Sequence, residues 1–311
     1  MNLSITTSSY MKRLDGSRVT IAQCIDLIEK AGFNAVDVFF GDAPTGQVEL
    51  CQDDWMDWAK ALREDLDRRG ITVSQSHAPF YNTLSRELKD RDYKEEMIRR
   101  SIIASDILGS KWIVLHPGTD YVDNFLDVNV EKNLAFFKPF LQLAEKQPNG
   151  IGIAIENLFD THHVKSGVTG SSDRADGRIN DYVIPKRRFG SSVAELQILL
   201  NELKNDFSNV GICWDFGHGN VASVDQAACL RRIGSDLKAL HVNDNLGAND
   251  DHLIPYHGTV PWHEMMQVLK EIHYQGSFAY EAHLVTKRMP ENMVLETLTY
   301  CYKLGKHLLS L

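Results

Sequence analysis

The stretch CWDFGHGN, residues 213–220, sets Asp215 and His218 three residues apart at the end of an apolar run. Residues of the same kind recur where other apolar runs stop: ITVSQSH ends in His77, KWIVLHP carries His116, GIAIEN carries Glu156, LKALHVND carries His241 and SFAYEAH carries Glu281. The loop NDNLGANDDHLIPYHGTVPW adds Asp250 and His252. Imidazoles and carboxylates are the side chains that ligate divalent cations and move protons. Singly, each is a turn cap or a satisfied polar group. Turn caps, however, draw mostly on Ser, Asn, Gly and Asp, whereas these ends read His, His, Glu, Asp, His and Glu in succession. Several carboxylates sharing one partly dry mouth repel one another, and a divalent cation is the simplest neutraliser.

The elements that must position these residues are short β-rich runs alternating with longer helix-prone stretches from end to end. NLSITTS, NAVDVFF, ITVSQSH, KWIVLHP, GIAIEN, VGICWDF, LKALHVND and SFAYEAH read as strands. TIAQCIDLIEKAG, DDWMDWAKALREDLDRRG and YKEEMIRRSIIASDILG read as helices that stop at Gly32, Gly70 and Gly109, where a left-handed cap belongs. Five more helical stretches follow, the last from about Glu291 to Leu308. Strict alternation requires parallel strands with crossover helices, so the fold class is α/β and the economical closure is a single (β/α)8 TIM barrel over residues 1–311. A doubly wound open sheet is the alternative, but no glycine-rich phosphate fingerprint follows the first strand. In a barrel the C-terminal strand ends share one mouth, which turns a scattered set of side chains into a cluster.

One segment departs from the alternation. After the fifth strand comes a long polar insertion, 161–190, with Lys165, Arg174, Arg178, Lys186, Arg187 and Arg188 against Asp173, Asp176 and Asp181. It reads as a lid or mobile insertion, and as a lid it would bring a cation to a substrate carboxylate or phosphate.

Composition narrows the function classes. The net charge of −9 in 311 residues argues against a polyanion binder, so nucleic acid is not the expected partner. Five cysteines without CxxC spacing suit a reducing compartment. No apolar run has the length to cross a bilayer, and the expectation is a cytoplasmic protein without membrane association. Exposed apolar helix residues leave room for a homo-oligomer.

The ordered set SHAPFYN, LHPG, IEN, WDFGH, LHVND, DDH, HGTVPW and YEAH resembles the xylose isomerase-like barrel superfamily, which includes endonuclease IV and the sugar isomerases and epimerases related to D-tagatose 3-epimerase. The resemblance covers nearly the whole chain outside 161–190. In the sugar-acting branch it implies one divalent ion held by Glu156, Asp215, His241 and Glu281. Such an oxygen-rich set suits Mn²⁺ first, with Mg²⁺, Co²⁺ or Zn²⁺ also compatible. It also implies substrate-binding roles for His77, His116, His218, Asp250 and His252, which in the endonuclease branch join the same four residues around three zinc ions. One departure is that some epimerases place an arginine after the seventh-strand histidine, where this chain has Asn243, Asp244 and Asn245.

The expected reaction is isomerisation or epimerisation of a keto sugar or derivative through a metal-stabilised enediolate. Glu156 and Glu281 would take and return the proton. His218 would orient a hydroxyl, and Phe39, Phe80, Trp214 or Trp262 would form apolar walls. The alternatives are a multi-zinc apurinic endonuclease, a dehydratase or lyase that uses the same enediolate, and a non-catalytic binding protein.

Overall fold

The computed structural model describes residues 1–13, 15–46, 48–165, 182–287 and 289–311, with the side chains of 162–165 and 182–185 outside the description. Eight parallel strands form the barrel: β1 Leu3–Thr6, β2 Ala35–Phe39, β3 Thr72–His77, β4 Trp112–Leu115, β5 Gly152–Glu156, β6 Val210–Asp215, β7 Leu237–His241 and β8 Phe278–Tyr280. Neighbours pair in sequence order from β1 to β7, and β8 pairs with β1. Between β7 and β8 the ring closes one residue past the end of β7: the Val242 amide donates to the Ala279 carbonyl at 2.8 Å and the Glu281 amide to the Val242 carbonyl at 3.0 Å.

The crossovers are α1 Ile21–Lys30, α2 Trp55–Arg69, α3 Arg91–Ile107, α4 Phe125–Glu145, α5 Val193–Lys204, α6 Gln226–Ile233, α7 Trp262–Glu271 and α8 Val294–Ser310. Gly32, Gly70 and Gly109 have φ of +106°, +66° and +80°, the left-handed region expected of them. Among the described residues no helix is long and apolar enough to cross a membrane.

Because helices cover the sheet outside and side chains fill it inside, the strands are buried on both faces, as parallel strands require. Below the mouth, Val114, Ala154, Cys213 and Ala239 form a small-residue layer inside the barrel. Each lies two residues before a rim residue, so the strand period of two aims His116, Glu156, Asp215 and His241 inward as well. At the bottom, the Trp112 ring packs over Gly152, where a Cβ would lie 2.3 Å from the indole.

The loop after β4 is fastened from α4. Asn133 exchanges bonds with the backbone of Gly118, Nδ2 donating at 2.9 Å and Oδ1 accepting at 2.7 Å, and Asn129 does the same with Asp120 at 2.9 and 2.6 Å. Both asparagines are fully buried. They fix the chain that leaves His116.

Within the 161–190 segment, Thr161–Lys165 pairs antiparallel with Tyr182–Lys186. The chain then rejoins the barrel: Phe189 is fully buried, its amide donates to Thr119 Oγ1 at 2.9 Å, and Arg187 pairs with Glu195 of α5. Asp173, Arg174, Asp176, Arg178 and Asp181 lie outside the described residues, as does the Lys165 side chain.

Candidate functional site

Glu156, Asp215, His241 and Glu281 close β5, β6 and β7 and follow β8, and each offers one ligand atom within 4.8 Å of the others. The set centres on His241 Nδ1, which lies 3.2 Å from Glu156 Oε1, 3.3 Å from Glu281 Oε2 and 3.9 Å from Asp215 Oδ2. His241 is completely buried, yet neither of its ring nitrogens has a hydrogen-bond partner. A buried imidazole whose ring nitrogens make no hydrogen bond among the described residues, facing three carboxylates, makes up the donor set a divalent cation satisfies. The residues present therefore fit a metal.

Around these four, backbone contacts fix how the remaining groups point. Asp215 caps the short helix Phe216–Val221, its Oδ1 accepting from the His218 amide at 2.7 Å, while Asn243 Nδ2 donates to Oδ2 at 2.8 Å. Asn157 clamps the same strand end: Oδ1 accepts from the Asp215 amide at 2.6 Å and Nδ2 donates to its carbonyl at 3.0 Å. Three histidines donate Nδ1–H to a carbonyl: His77 to Ala78 at 2.6 Å, His218 to Asn157 at 2.7 Å and His252 to Glu281 at 2.7 Å. Their Nε2 atoms then face carboxylates, His77 at 3.3 Å from Glu156 Oε2, His218 at 3.4 Å from Asp250 Oδ2 and His252 at 2.9 Å from the same Asp250 oxygen. His116 Nε2 lies 2.8 Å from Glu156 Oε2. All nine residues singled out in the sequence converge on this mouth.

Electrostatics follow from crowding in a dry site. Burial alone would raise the Glu156 carboxyl, but His116 and His241 hold it well below the usual carboxylate range. Burial wins at Asp215, pushed up to about 7, because other acids surround it. Burial is outweighed by Asp215 and Asp250 at His218 and by Asp250 at His252, and both imidazoles rise to about 10. At His283 burial and the neighbouring His252 outweigh Glu281 and Asp250, and the imidazole falls to about 3.

The cleft above has a volume of about 260 Å³, and Phe39, Phe80 and Phe159 supply apolar wall. The expected walls Trp214 and Trp262 are elsewhere. Trp214 alternates with the inward Cys213 and Asp215, so it points into the helix layer and donates Nε1–H to Gln226 Oε1 at 3.0 Å. Trp262 lies in the core and donates to Asp244 Oδ2 at 2.8 Å.

Several residues at the site escape the strand-end reading. Asp37, in the middle of β2, is buried with Oδ2 3.9 Å from His241 Nε2, and Gln75 Nε2 bridges that oxygen at 3.1 Å and the Leu240 carbonyl at 3.0 Å. The signal available was an acid inside the apolar run NAVDVFF, where an unpaired charge rarely sits. Arg188 and Phe159 reach the cleft from either side of the hairpin, with the guanidinium 5.5 Å from the Phe159 ring centroid. His283 stands against His252 with ring centroids 4.1 Å apart.

Comparison with known proteins agrees with this architecture. Residues 25–304 match the xylose isomerase-like TIM barrel family, and the chain belongs to it. An uncharacterised protein of Methanocaldococcus jannaschii is 29% identical over 229 residues, 71% of this chain and 68% of that one. Among solved structures, a D-tagatose 3-epimerase-like protein superposes with a TM-score of 0.69 at 21% identity, covering 100% of this chain and 97% of its own. The IOLI protein, crystallised with a zinc atom, gives 0.70 at 16% identity, covering 100% and 98%. At these identities the structural likeness speaks for the fold.

Proposed function

We propose that this member of the xylose isomerase-like TIM barrel family is a divalent-metal-dependent isomerase or epimerase of a keto sugar or a derivative of one. The observation that carries the reading is the convergence of Glu156, Asp215, His241 and Glu281, with an imidazole whose ring nitrogens make no hydrogen bond among the described residues. These four would hold the ion, with Mn²⁺ or Zn²⁺ the first candidates for three carboxylates and one nitrogen. When bound, a dication here supplies electrostatic stabilisation of negative charge developing on a substrate oxygen.

The chain's own residues do the rest. Glu156 and Glu281 enter from β5 and from the end of β8, with β6 and β7 between them. Two carboxylates on different sides of the mouth allow a proton to leave one face of a carbon next to a carbonyl and return to the other. His116 and His77 bind Glu156 Oε2 and keep that carboxylate in one orientation. His218, His252 and Asp250 offer polar atoms at the cleft wall to substrate hydroxyls, and the phenylalanines exclude water from the reacting carbon.

The test is hydrogen–deuterium exchange at the carbon next to the carbonyl, with metal-loaded protein and a panel of keto sugars in D₂O. Exchange is expected in the wild type and is expected to fall roughly 100- to 10,000-fold in Glu156→Gln and Glu281→Gln. Undiminished exchange in both variants would remove them as the acid/base pair.

A second reading, a multi-zinc phosphodiesterase, draws on two further donor groups, His77–Glu156–His241 and His252–Glu281–His283. Metal analysis separates the two. One ion per chain supports the sugar reading, and about three with nicking of abasic duplex supports the other.

A further inference from the structure

A second cavity, of about 250 Å³, adjoins the cleft, and Phe80, His116 and Arg188 line both. Tyr121 and Lys186 line the second cavity only. Among the described residues neither Arg188 nor Lys186 forms an ion pair, although most other arginines near the barrel rim do: Arg187 has Glu195, Arg86 has Asp120 and Arg18 has Asp42. Both free cations are held in place by apolar surface. The Arg188 guanidinium packs against Phe159, whose ring lies 5.0 Å from that of His218, and Lys186 Nζ sits 4.3 Å from the Tyr121 ring centroid. Asp160, just before the hairpin, uses Oδ1 to accept from the Arg188 backbone amide at 3.0 Å. Two oriented cations and a phenol therefore face a cavity that opens from the reacting centre, in a chain whose net charge is −9. Unpaired cations held beside a cleft are the arrangement that binds carboxylate or phosphate oxygens.

We infer that the substrate carries an anionic group, a phosphate monoester or a carboxylate, which Arg188 and Lys186 bind in the second cavity while the carbonyl end occupies the cleft. This rests on the keto-sugar reading for the identity of the reacting end, but not for the anion site itself.

The first measurement compares kcat/KM for a ketohexose, its 6-phosphate and the corresponding 6-carboxylate, in the wild type, Arg188→Gln and Lys186→Gln. A charge-assisted hydrogen bond is worth roughly tenfold to a hundredfold in affinity, so the preference for the anionic over the neutral sugar is expected to drop by that factor in Arg188→Gln. The phosphate and carboxylate arms show which anion the site takes. A preference that is absent in the wild type, or unmoved in both variants, overturns the inference and leaves the sugar reading intact.

The second measurement is calorimetric titration of inorganic phosphate into the folded wild type and Arg188→Gln. Binding at least tenfold tighter in the wild type supports the anion site even where no sugar is turned over, in which case only the sugar reading falls. Equal binding in the two proteins overturns it.

Discussion

Asn243 Nδ2 donates to Asp215 Oδ2 at 2.8 Å across the ends of β6 and β7. The His218 amide takes the other carboxylate oxygen at 2.7 Å, so Asp215 cannot rotate, and Oδ2 keeps its remaining lone pair for the direction of His241. Asn243 is fully buried. In this chain, then, the residue two positions after the seventh-strand histidine orients the Asp215 carboxylate.

Replacing Asn243 with Ala removes that orientation without touching a ligand. Metal affinity is expected to fall roughly 10- to 100-fold, the usual effect of losing a hydrogen bond behind a metal ligand. Competition with a chelator of known affinity measures it. Affinity equal to that of the wild type, in a protein with an unchanged melting profile, would show that the bond orients nothing.

Metal loading should also register as stability. Three buried carboxylates repel one another without a cation between them, and an ion that binds only the folded state stabilises by about 2.7 kcal/mol at a hundred times its Kd. For a chain of this size that is a rise in Tm of several degrees. Thermal melts with and without Mn²⁺ or Zn²⁺, in the wild type and in Asp215→Asn, are the check. The rise is expected in the first and largely lost in the second, and identical melts with and without metal would contradict a cation at this centre.

The barrel floor gives a prediction independent of chemistry. Gly152 has ordinary strand geometry, so Ala costs nothing in backbone terms, but its methyl would collide with the Trp112 ring. Gly152→Ala is expected to cost about 1–3 kcal/mol in denaturant unfolding. In a Trp112→Ala background the same substitution should cost clearly less, because the clash partner is gone. Equal costs in the two backgrounds would mean the ring and the glycine are not in steric contact.

The rim was legible in the sequence because parallel strands bring every C-terminal end to one face, whatever the spacing along the chain. His77, His116, Glu156, Asp215, His241 and Glu281 need only that rule to meet. Residues whose role depends on depth within a strand were harder to see. Asp37 enters the site from mid-strand beside a register shift between Val36 and Asp37, and a shift of that kind leaves no mark in composition. Trp214 carries the opposite lesson: lying next to Asp215 in sequence puts it on the opposite face of the sheet. Nothing in the sequence marks Asn129 and Asn133 as buried, and it is the backbone of the Gly118–Asp120 loop that draws both inside. Arg188 stood among other cations in a polar stretch, and only the fold distinguishes it from Arg187, which is spent on Glu195.

That same loop supplies a pH prediction. Asp120, 4% exposed, pairs with Lys132 of α4 and with Arg86 of the loop before α3, its Oδ2 accepting from Arg86 Nη2 at 3.1 Å. The hydrogen bonds from Lys132 and Arg86 hold its carboxyl below the ordinary value. A group whose folded pKa is depressed contributes stability above its unfolded pKa, near 4, and loses it as pH falls through the folded value. The difference in Tm between the wild type and Asp120→Asn should therefore be full at pH 6–7 and shrink as pH falls below about 4. Because Asn keeps the shape but not the charge, it also reports on the rim: His116 leaves the barrel two residues before Gly118, and a loosened loop should raise KM for the sugar more than it lowers kcat. A Tm difference that stays constant from pH 7 to pH 3 would mean that the Asp120 charge contributes nothing to holding this loop.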